Sequence, residues 1–341
     1  MVVGRRARGR LAAARPRTDR ERSAALYDVT AARTSRAVLR GYSSSFGLGA
    51  RLLGARTRRD IEAVYALVRL ADEVVDTYRG PDAAAELAEL EAQTARALRT
   101  GYSTNLVVHS FARTARRVGI GPAQLDPFFA SMRSDLTVRQ HDRASFERYV
   151  HGSAEVVGEM CLRCFLGARR APGRAVPEPD EATSEGARAL GAAFQKVNFL
   201  RDLGADAGEL GRSYFPGVTA ERIDPTQRAA IVAEVRADLV AARAALPRLP
   251  LRPRCAVAAT LALYERLLAR LERTAAARGR VRVPGPEKAL VAGGAVARQL
   301  VREVVGRAPR TTGMLSRVDG VDTVHGHDVR GGQGSAGGGD G

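Results

Sequence analysis

Residues 194–206 decide the fold, and they read FQKVNFLRDLGAD. At helical pitch Gln195, Asn198, Asp202 and Asp206 follow one another at steps of three, four and four, so they form one polar stripe. Apolar residues cover both flanks of this stripe. Because the acids and amides lie between two apolar shoulders rather than on a face of mixed charge, we expect them to point into a cavity.

A second stripe of the same kind lies earlier, in residues 65–76, which read YALVRLADEVVD. Tyr65, Arg69, Asp72 and Asp76 follow at steps of four, three and four, again with apolar flanks. Two carboxylates one helical turn apart, about 6 Å, repel each other by roughly 3 kcal/mol at an effective dielectric constant near 20. Such a pair therefore requires cations nearby.

If the two helices face each other, four carboxylates line one pocket and the amides supply neutral oxygen ligands. Hard oxygen ligands without His or Cys suit Mg²⁺ bound together with substrate phosphates better than zinc or an all-protein calcium site. A pair of ordinary surface acids explains one such stripe, but it explains two stripes, each with an Arg on or beside it, much less well. We predict Mg²⁺, with Mn²⁺ as an alternative, at Asp72, Asp76, Asn198, Asp202 and Asp206.

The two motifs, in the forms YALVRLADEVVD and QKVNFLRDLGAD followed by GRSYFP, resemble the phytoene synthase and squalene synthase family of head-to-head prenyl diphosphate synthases. The resemblance covers residues from about 25 to about 300. It implies an all-α, single-domain helical bundle of the isoprenoid-synthase type with a central cavity. The helical periodicity agrees, because no segment alternates with a period of two.

The resemblance also assigns roles to residues of this chain. The catalytic residues that it implies are Asp72, Asp76, Asp202, Asp206, Tyr65 and His151. The substrate-binding residues that it implies are Phe46, Arg69, Gln195, Asn198, Arg201, Tyr214 and Tyr264.

Two positions depart from the family pattern. His151 stands where a tyrosine is usual, and a neutral histidine can assist proton transfer near a carbocation. The alternative is that His151 is a core or rim histidine and that Tyr149 or the released diphosphate takes the proton. Ser44 stands where some relatives carry a basic residue, and Lys196 either compensates for it or faces solvent.

Family members join two identical prenyl diphosphates through a cyclopropyl diphosphate intermediate. We expect condensation of two geranylgeranyl diphosphates to phytoene, in carotenoid biosynthesis, without NADPH because the last step needs only proton loss. The alternative within the family is a squalene or dehydrosqualene synthase that uses two farnesyl diphosphates. Outside it, a non-catalytic basic helical protein that binds membranes or partners accounts for the charge but not for the two stripes.

The charge of +17 on 341 residues suits anionic substrates or an anionic membrane surface. Nucleic acid is not expected as a partner, because the arginines are spread along amphipathic helices without a recognised binding motif. No apolar run reaches the roughly 18 residues that a membrane span requires. We therefore expect a cytoplasmic protein, with a peripheral contact to the inner face of the membrane as a further expectation.

Composition divides the chain into three parts. Residues 1–20 are predicted to be a basic disordered leader, 21–308 the all-helical condensing domain, and 309–341 a Gly-rich disordered tail. Within the domain we expect Thr57 to cap the helix of the first stripe. The small residues at 152–158 are expected to make room for the ligand. Neither metal nor redox chemistry is expected of Cys161 and Cys164, because no second pair accompanies them.

Overall fold

The computed structural model describes residues 18–78, 80–168, 176–205, 212–218, 223–273 and 281–307. Over these residues the chain is helical and forms no β-strand, which confirms the all-α prediction. The α-helices are α1 (Asp19–Tyr42), α2 (Ser44–Arg51), α3 (Ala55–Asp72), α4 (Ala83–Thr100), α5 (Leu106–Val118), α6 (Pro122–Thr137), α7 (Arg143–Val150), α8 (Val156–Gly167), α9 (Glu181–Ala205), α10 (Pro225–Ala245), α11 (Leu251–Arg273) and α12 (Gly285–Arg307).

The first helix begins with a capping box. The backbone N–H of Glu21 donates to Thr18 Oγ1 (3.2 Å), and the Glu21 carboxylate accepts from the backbone N–H of Thr18 (2.7 Å). Helix α1 therefore starts at Asp19, two residues before the predicted start of the helical domain at residue 21. Residues 1–17 of the predicted leader and the whole predicted tail lie outside the described residues.

Helix α3 starts earlier than expected. Its N-cap is Gly54, which offers no side-chain hydrogen bond, and Thr57 is buried inside the helix. The prediction that Thr57 caps this helix is wrong. The two residues in front of it already have helical geometry, and burial of this turn against neighbouring helices outweighs the local capping preference.

Two π-helical segments interrupt the α-helical geometry. Glu73–Tyr78 directly follows α3 and carries Asp76, and His151–Glu155 joins α7 to α8. Segments of this type often occur at functional sites. The first of them lies inside the first acidic motif.

The core consists of two apolar clusters. The first contains Phe111, Phe128 and much of α3 and α5, and the second contains Phe146, Val197 and parts of α9 to α11. Residues from both clusters line a shared central cavity. None of the described helices combines the length and low charge that a membrane span needs.

Glycines allow α8 and α9 to touch through their backbones. A Cβ added at Gly158 would lie 2.2 Å from the Ala187 carbonyl oxygen, and one at Gly191 would lie 2.2 Å from that of Ala154. A Cβ at Gly152 would lie 2.1 Å from the backbone oxygen of Pro127. The small residues at 152–158 therefore make room for neighbouring helices, and the expectation that they serve the ligand is incomplete.

We predict that Gly191→Ala destabilises the protein by about 1–3 kcal/mol, because the added methyl group forces α9 away from the π-helical segment that precedes α8. Gly293→Ala in α12 is the matched control, since nothing lies within 4 Å of its added Cβ. That control should leave stability unchanged or raise it by about 0.4–1 kcal/mol. Urea unfolding followed by circular dichroism measures both. Equal changes in the two variants would contradict the packing described for α8 and α9.

Candidate active site

A cavity of about 450 Å³ lies between α2, α3, α8, α9 and α11. Along α3 its lining changes from Ile61 and Val64 in the first half to Arg69 and Asp72 in the last turn. Along α9 it changes likewise, from Gly186, Ala187 and Leu190 to Gln195, Asn198 and Arg201. The cavity therefore has an apolar depth and a polar end, where the two stripes meet.

The second stripe contributes its amides and its arginine to the lining. Gln195, Asn198 and Arg201 all border the cavity. The Asp202 carboxylate accepts hydrogen bonds from the Arg201 guanidinium, at 2.9 Å from Nε and 2.5 Å from Nη2, and it does not border the cavity. The predicted fourth acid, Asp206, lies outside the described residues.

The first stripe places Tyr65, Arg69 and Asp72 in the lining. Burial and the neighbouring Asp76 carboxylate raise the pKa of Asp72 to about 7, while Arg69 opposes this shift. Asp76 itself lies in the π-helical segment and accepts a hydrogen bond from Arg212 Nη1 (2.7 Å). The Asp76 carboxylate thus lies close enough to disfavour the charge on Asp72, as the sequence predicts.

Asn198 offers a free ligand atom. Its Oδ1 is buried without a hydrogen-bond partner among the described residues, while its side chain contacts the Tyr264 hydroxyl. An amide oxygen and the Asp72 carboxylate are the hard donors that Mg²⁺ prefers, so the donor set fits this ion. In the part of the chain that the structure describes, no three acidic, His or Cys side chains converge on one point. A cation here therefore needs further ligands, such as phosphate oxygens.

Two aromatic stacks form part of the wall. Phe46 stacks on Tyr65 with ring centroids 5.6 Å apart, and Phe194 stacks on Tyr264 at 3.8 Å. All four rings border the cavity. Burial raises the pKa of Tyr65 to about 12, so its hydroxyl is neutral. Neutral aromatic faces attract a cation held in the cavity.

Asp135 and Arg212 belong to the site although the sequence analysis did not select them. Buried Arg212 donates to Asp76, to the Val75 carbonyl (2.8 Å) and to the Tyr214 hydroxyl (3.2 Å). Arg212 stands in GRSYFP, two residues before Tyr214, and this was the available signal.

Asp135 holds Arg212 and Tyr214 in place. Its buried carboxylate accepts hydrogen bonds from Tyr149 (2.7 Å) and Tyr214 (3.1 Å) and lies 3.6 Å from Arg212. Burial raises the pKa of Asp135 to about 7, against the effect of Arg212 and the hydroxyl donors. Tyr214 is therefore a member of this network and does not border the cavity. No local pattern in the sequence marks Asp135.

The structure places His151 away from the central cavity. Its Nδ1 lies 3.0 Å from the Glu155 carboxylate, and its side chain is 45% exposed. Both residues border a second cavity, between α6 and α7. This position does not support a part for His151 in chemistry inside the central cavity, and it matches the alternative of a rim histidine.

Lys196 faces neither the polar end of the cavity nor solvent. It is buried between Glu234 (2.5 Å) and Asp238 (2.8 Å) of α10. Lys196 therefore neither compensates for Ser44 nor faces solvent, and both expectations are wrong. Its ion pairs instead hold this side of α9 against α10.

Comparison with known proteins agrees with this site. The family model described as squalene/phytoene synthase matches residues 39–287. The chain is 29% identical over 302 residues to the 15-cis-phytoene synthase of Enterobacter agglomerans, covering 81% of this chain and 98% of that protein. It is 29% identical over 288 residues to the phytoene synthase of Mycobacterium tuberculosis, covering 78% and 90%.

A solved structure shares the fold. A dehydrosqualene synthase in complex with a ligand superposes with a TM-score of 0.69 at 20% identity, covering 81% of this chain and 99% of that one. The match to the family model spans most of the helical domain, including both acidic motifs. This chain belongs to the squalene/phytoene synthase family.

Proposed function

We propose that the protein joins two molecules of geranylgeranyl diphosphate head to head to give phytoene. One observation carries this proposal: Arg69 and Asp72 of the first motif and Gln195, Asn198 and Arg201 of the second border the same end of one otherwise apolar cavity. A ligand with a diphosphate head and a hydrocarbon tail matches both parts of such a cavity.

The polar end would hold the diphosphate. Arg69 and Arg201 border the cavity there and supply positive charge to the leaving group. Asp72, Asp76, Asn198 and, from the sequence, Asp202 and Asp206 would hold Mg²⁺, with Mn²⁺ as an alternative. When bound, the metal neutralises charge that develops on the departing diphosphate.

The apolar depth would protect the carbocation that diphosphate loss leaves behind. Water in contact with such a cation would turn it into an alcohol, so its exclusion favours carbon–carbon bond formation. The Phe46–Tyr65 and Phe194–Tyr264 stacks present π faces to the cavity and stabilise positive charge in it.

The choice of the C20 substrate rests on relatives named phytoene synthase. The second candidate is the condensation of two farnesyl diphosphates to dehydrosqualene or squalene. The solved structure with the same fold favours it, since that protein is a dehydrosqualene synthase. Formation of squalene additionally requires hydride from NADPH, which phytoene does not.

The test is incubation of the purified chain with either geranylgeranyl or farnesyl diphosphate and Mg²⁺, with and without NADPH. We expect a C40 hydrocarbon of the mass of phytoene from the C20 substrate, unchanged by NADPH. A C30 hydrocarbon formed faster from farnesyl diphosphate would support the second candidate. Absence of diphosphate release from either substrate would overturn the enzyme proposal.

We predict that Asp72→Asn and Asn198→Ala each lower kcat/KM by about 100-fold or more, because each removes an oxygen ligand at the polar end. Asp126→Asn is the control, since it makes the same chemical change at an exposed position outside the cavity. Diphosphate release at several Mg²⁺ concentrations measures the effect. Wild-type activity in Asp72→Asn would contradict the assignment of the first motif.

We predict that Asp135→Ala destabilises the protein by about 2–4 kcal/mol, because it leaves two buried hydroxyls and Arg212 without their shared acceptor. Asp135→Asn, which keeps one acceptor oxygen, should cost less. Peptide-resolved hydrogen exchange should show that Asp135→Ala speeds exchange in residues 212–218, relative to the wild type, more than it does in α5. Unchanged exchange in residues 212–218 of Asp135→Ala would show that Asp135 does not hold this segment.

A further inference from the structure

Helix α12 carries an apolar stripe that no described residue covers. Leu290, Gly293, Ala297, Val301 and Val304 are all exposed and follow at steps of three, four, four and three, so they lie on one side of the helix. The exposed fractions are large for apolar side chains: 78% at Leu290, 60% at Val301 and 70% at Val304. The stripe extends along the helix for about 20 Å.

The opposite side of α12 accounts for the packing of this helix. Ala292, Ala295 and Gln299 are buried, and the main contact of α12 is with α11. The apolar stripe is therefore not needed to hold α12 in place. Scattered single apolar residues are normal at a surface, but a continuous stripe on one helix is typical of an interaction site.

The charges around the stripe have one sign. Arg298 and Arg302 are exposed on one flank of the helix, one turn apart, and neither forms an ion pair with any described residue. The acidic residues of the same helix are directed elsewhere: Glu287 pairs with Arg266 and Arg270, and Glu303 pairs with Arg254. The outward side of α12 thus offers apolar and cationic groups without an exposed, unpaired acid among its described residues.

Val240 on α10 is an equally exposed valine whose neighbouring arginines, unlike those of α12, are paired with acids. It is 67% exposed, close to the value for Val301. Its neighbours on the helix, Arg236 and Arg243, are each neutralised by a glutamate of α11. Val240 is therefore a matched control position with the same side chain and exposure but with compensated charge.

We propose that the outward side of α12 binds the surface of a membrane that contains anionic phospholipid. Leucine and valine side chains would enter the boundary between headgroups and acyl chains, while Arg298 and Arg302 contact lipid phosphates. An exposed helix side with apolar and cationic side chains fits the surface of an anionic membrane, which the net charge of +17 also favours. This inference rests on the surface of α12 and does not depend on which prenyl diphosphate is the substrate.

A tryptophan reporter tests the contact directly, because the chain contains no Trp. The indole of Val301→Trp should shift its emission to shorter wavelength on phosphatidylglycerol-containing vesicles and be quenched by brominated acyl chains. The indole of Val240→Trp should do neither. No shift in Val301→Trp on vesicles that sediment the protein would overturn the proposal. A short-wavelength emission without vesicles would also overturn it, because another part of the chain would then cover the stripe.

Sedimentation with vesicles tests the contributions of apolar residues and charge. Experiments at raised salt weaken the contribution of the basic residues 5–20, which could bind anionic lipid on their own. The double variant Val301→Asp/Val304→Asp should then lose about tenfold or more in vesicle binding, while Val240→Asp should bind like wild type. Arg298→Glu/Arg302→Glu should lose the preference for phosphatidylglycerol over pure phosphatidylcholine.

Sedimentation velocity without lipid identifies the competing occupant. If the wild type is a dimer that Val301→Asp/Val304→Asp separates, and neither protein binds vesicles, the stripe is an interface between two copies and the proposal is overturned. If both proteins have the same oligomeric state and only the wild type binds vesicles, the membrane contact is supported. Diphosphate release from soluble substrate should be equal in all these variants, so failure of the lipid contact is distinguishable from failure of the proposed reaction.

Discussion

Asp72 at the polar end of the cavity and Asp76 one turn further along the chain place two carboxylates close together, and the arginines around them compensate their repulsion. Partial burial strengthens the interaction and raises the pKa of Asp72 to about 7. Arg69 on one side and Arg212 on the other supply positive charge. In the proposed function, a bound cation would relieve the repulsion that remains between the two carboxylates.

Arg212 can serve Asp76 only because a second layer holds it. Asp135, Tyr149 and Tyr214 form a buried network that lies beneath the first motif and joins α6, α7 and the segment 212–218. Backbone contacts of α9 with α8 at Gly158, and with the π-helical segment before α8 at Gly191, form another wall of the cavity. Polar support at one end and close helix packing along the side together produce a site that is polar at one end and apolar in its depth.

Local periodicity predicted the helices and both motifs well, because an amphipathic pattern reports which side of a helix is buried. His151 was selected through the family resemblance, and the structure places it in a π-helical segment, where the angle between successive side chains differs from that of an α-helix. The expectations for Lys196 were wrong because its partners, Glu234 and Asp238, lie on another helix about 40 residues away and cannot be identified from a short segment. No local sequence pattern marks Asp135, because its partners Tyr149, Arg212 and Tyr214 lie in other elements of the chain.

By itself the sequence determined the helical class, the two acidic motifs with their arginines and amides, and the resemblance to a family. These are properties of short segments, and spacing along the chain is enough to show them. Only the tertiary structure decided that both stripes border one cavity, that Arg212 faces Asp76, and that the outward side of α12 is left apolar and cationic. Each of these depends on which helices pack together, and long-range packing is set by the whole core rather than by any one segment.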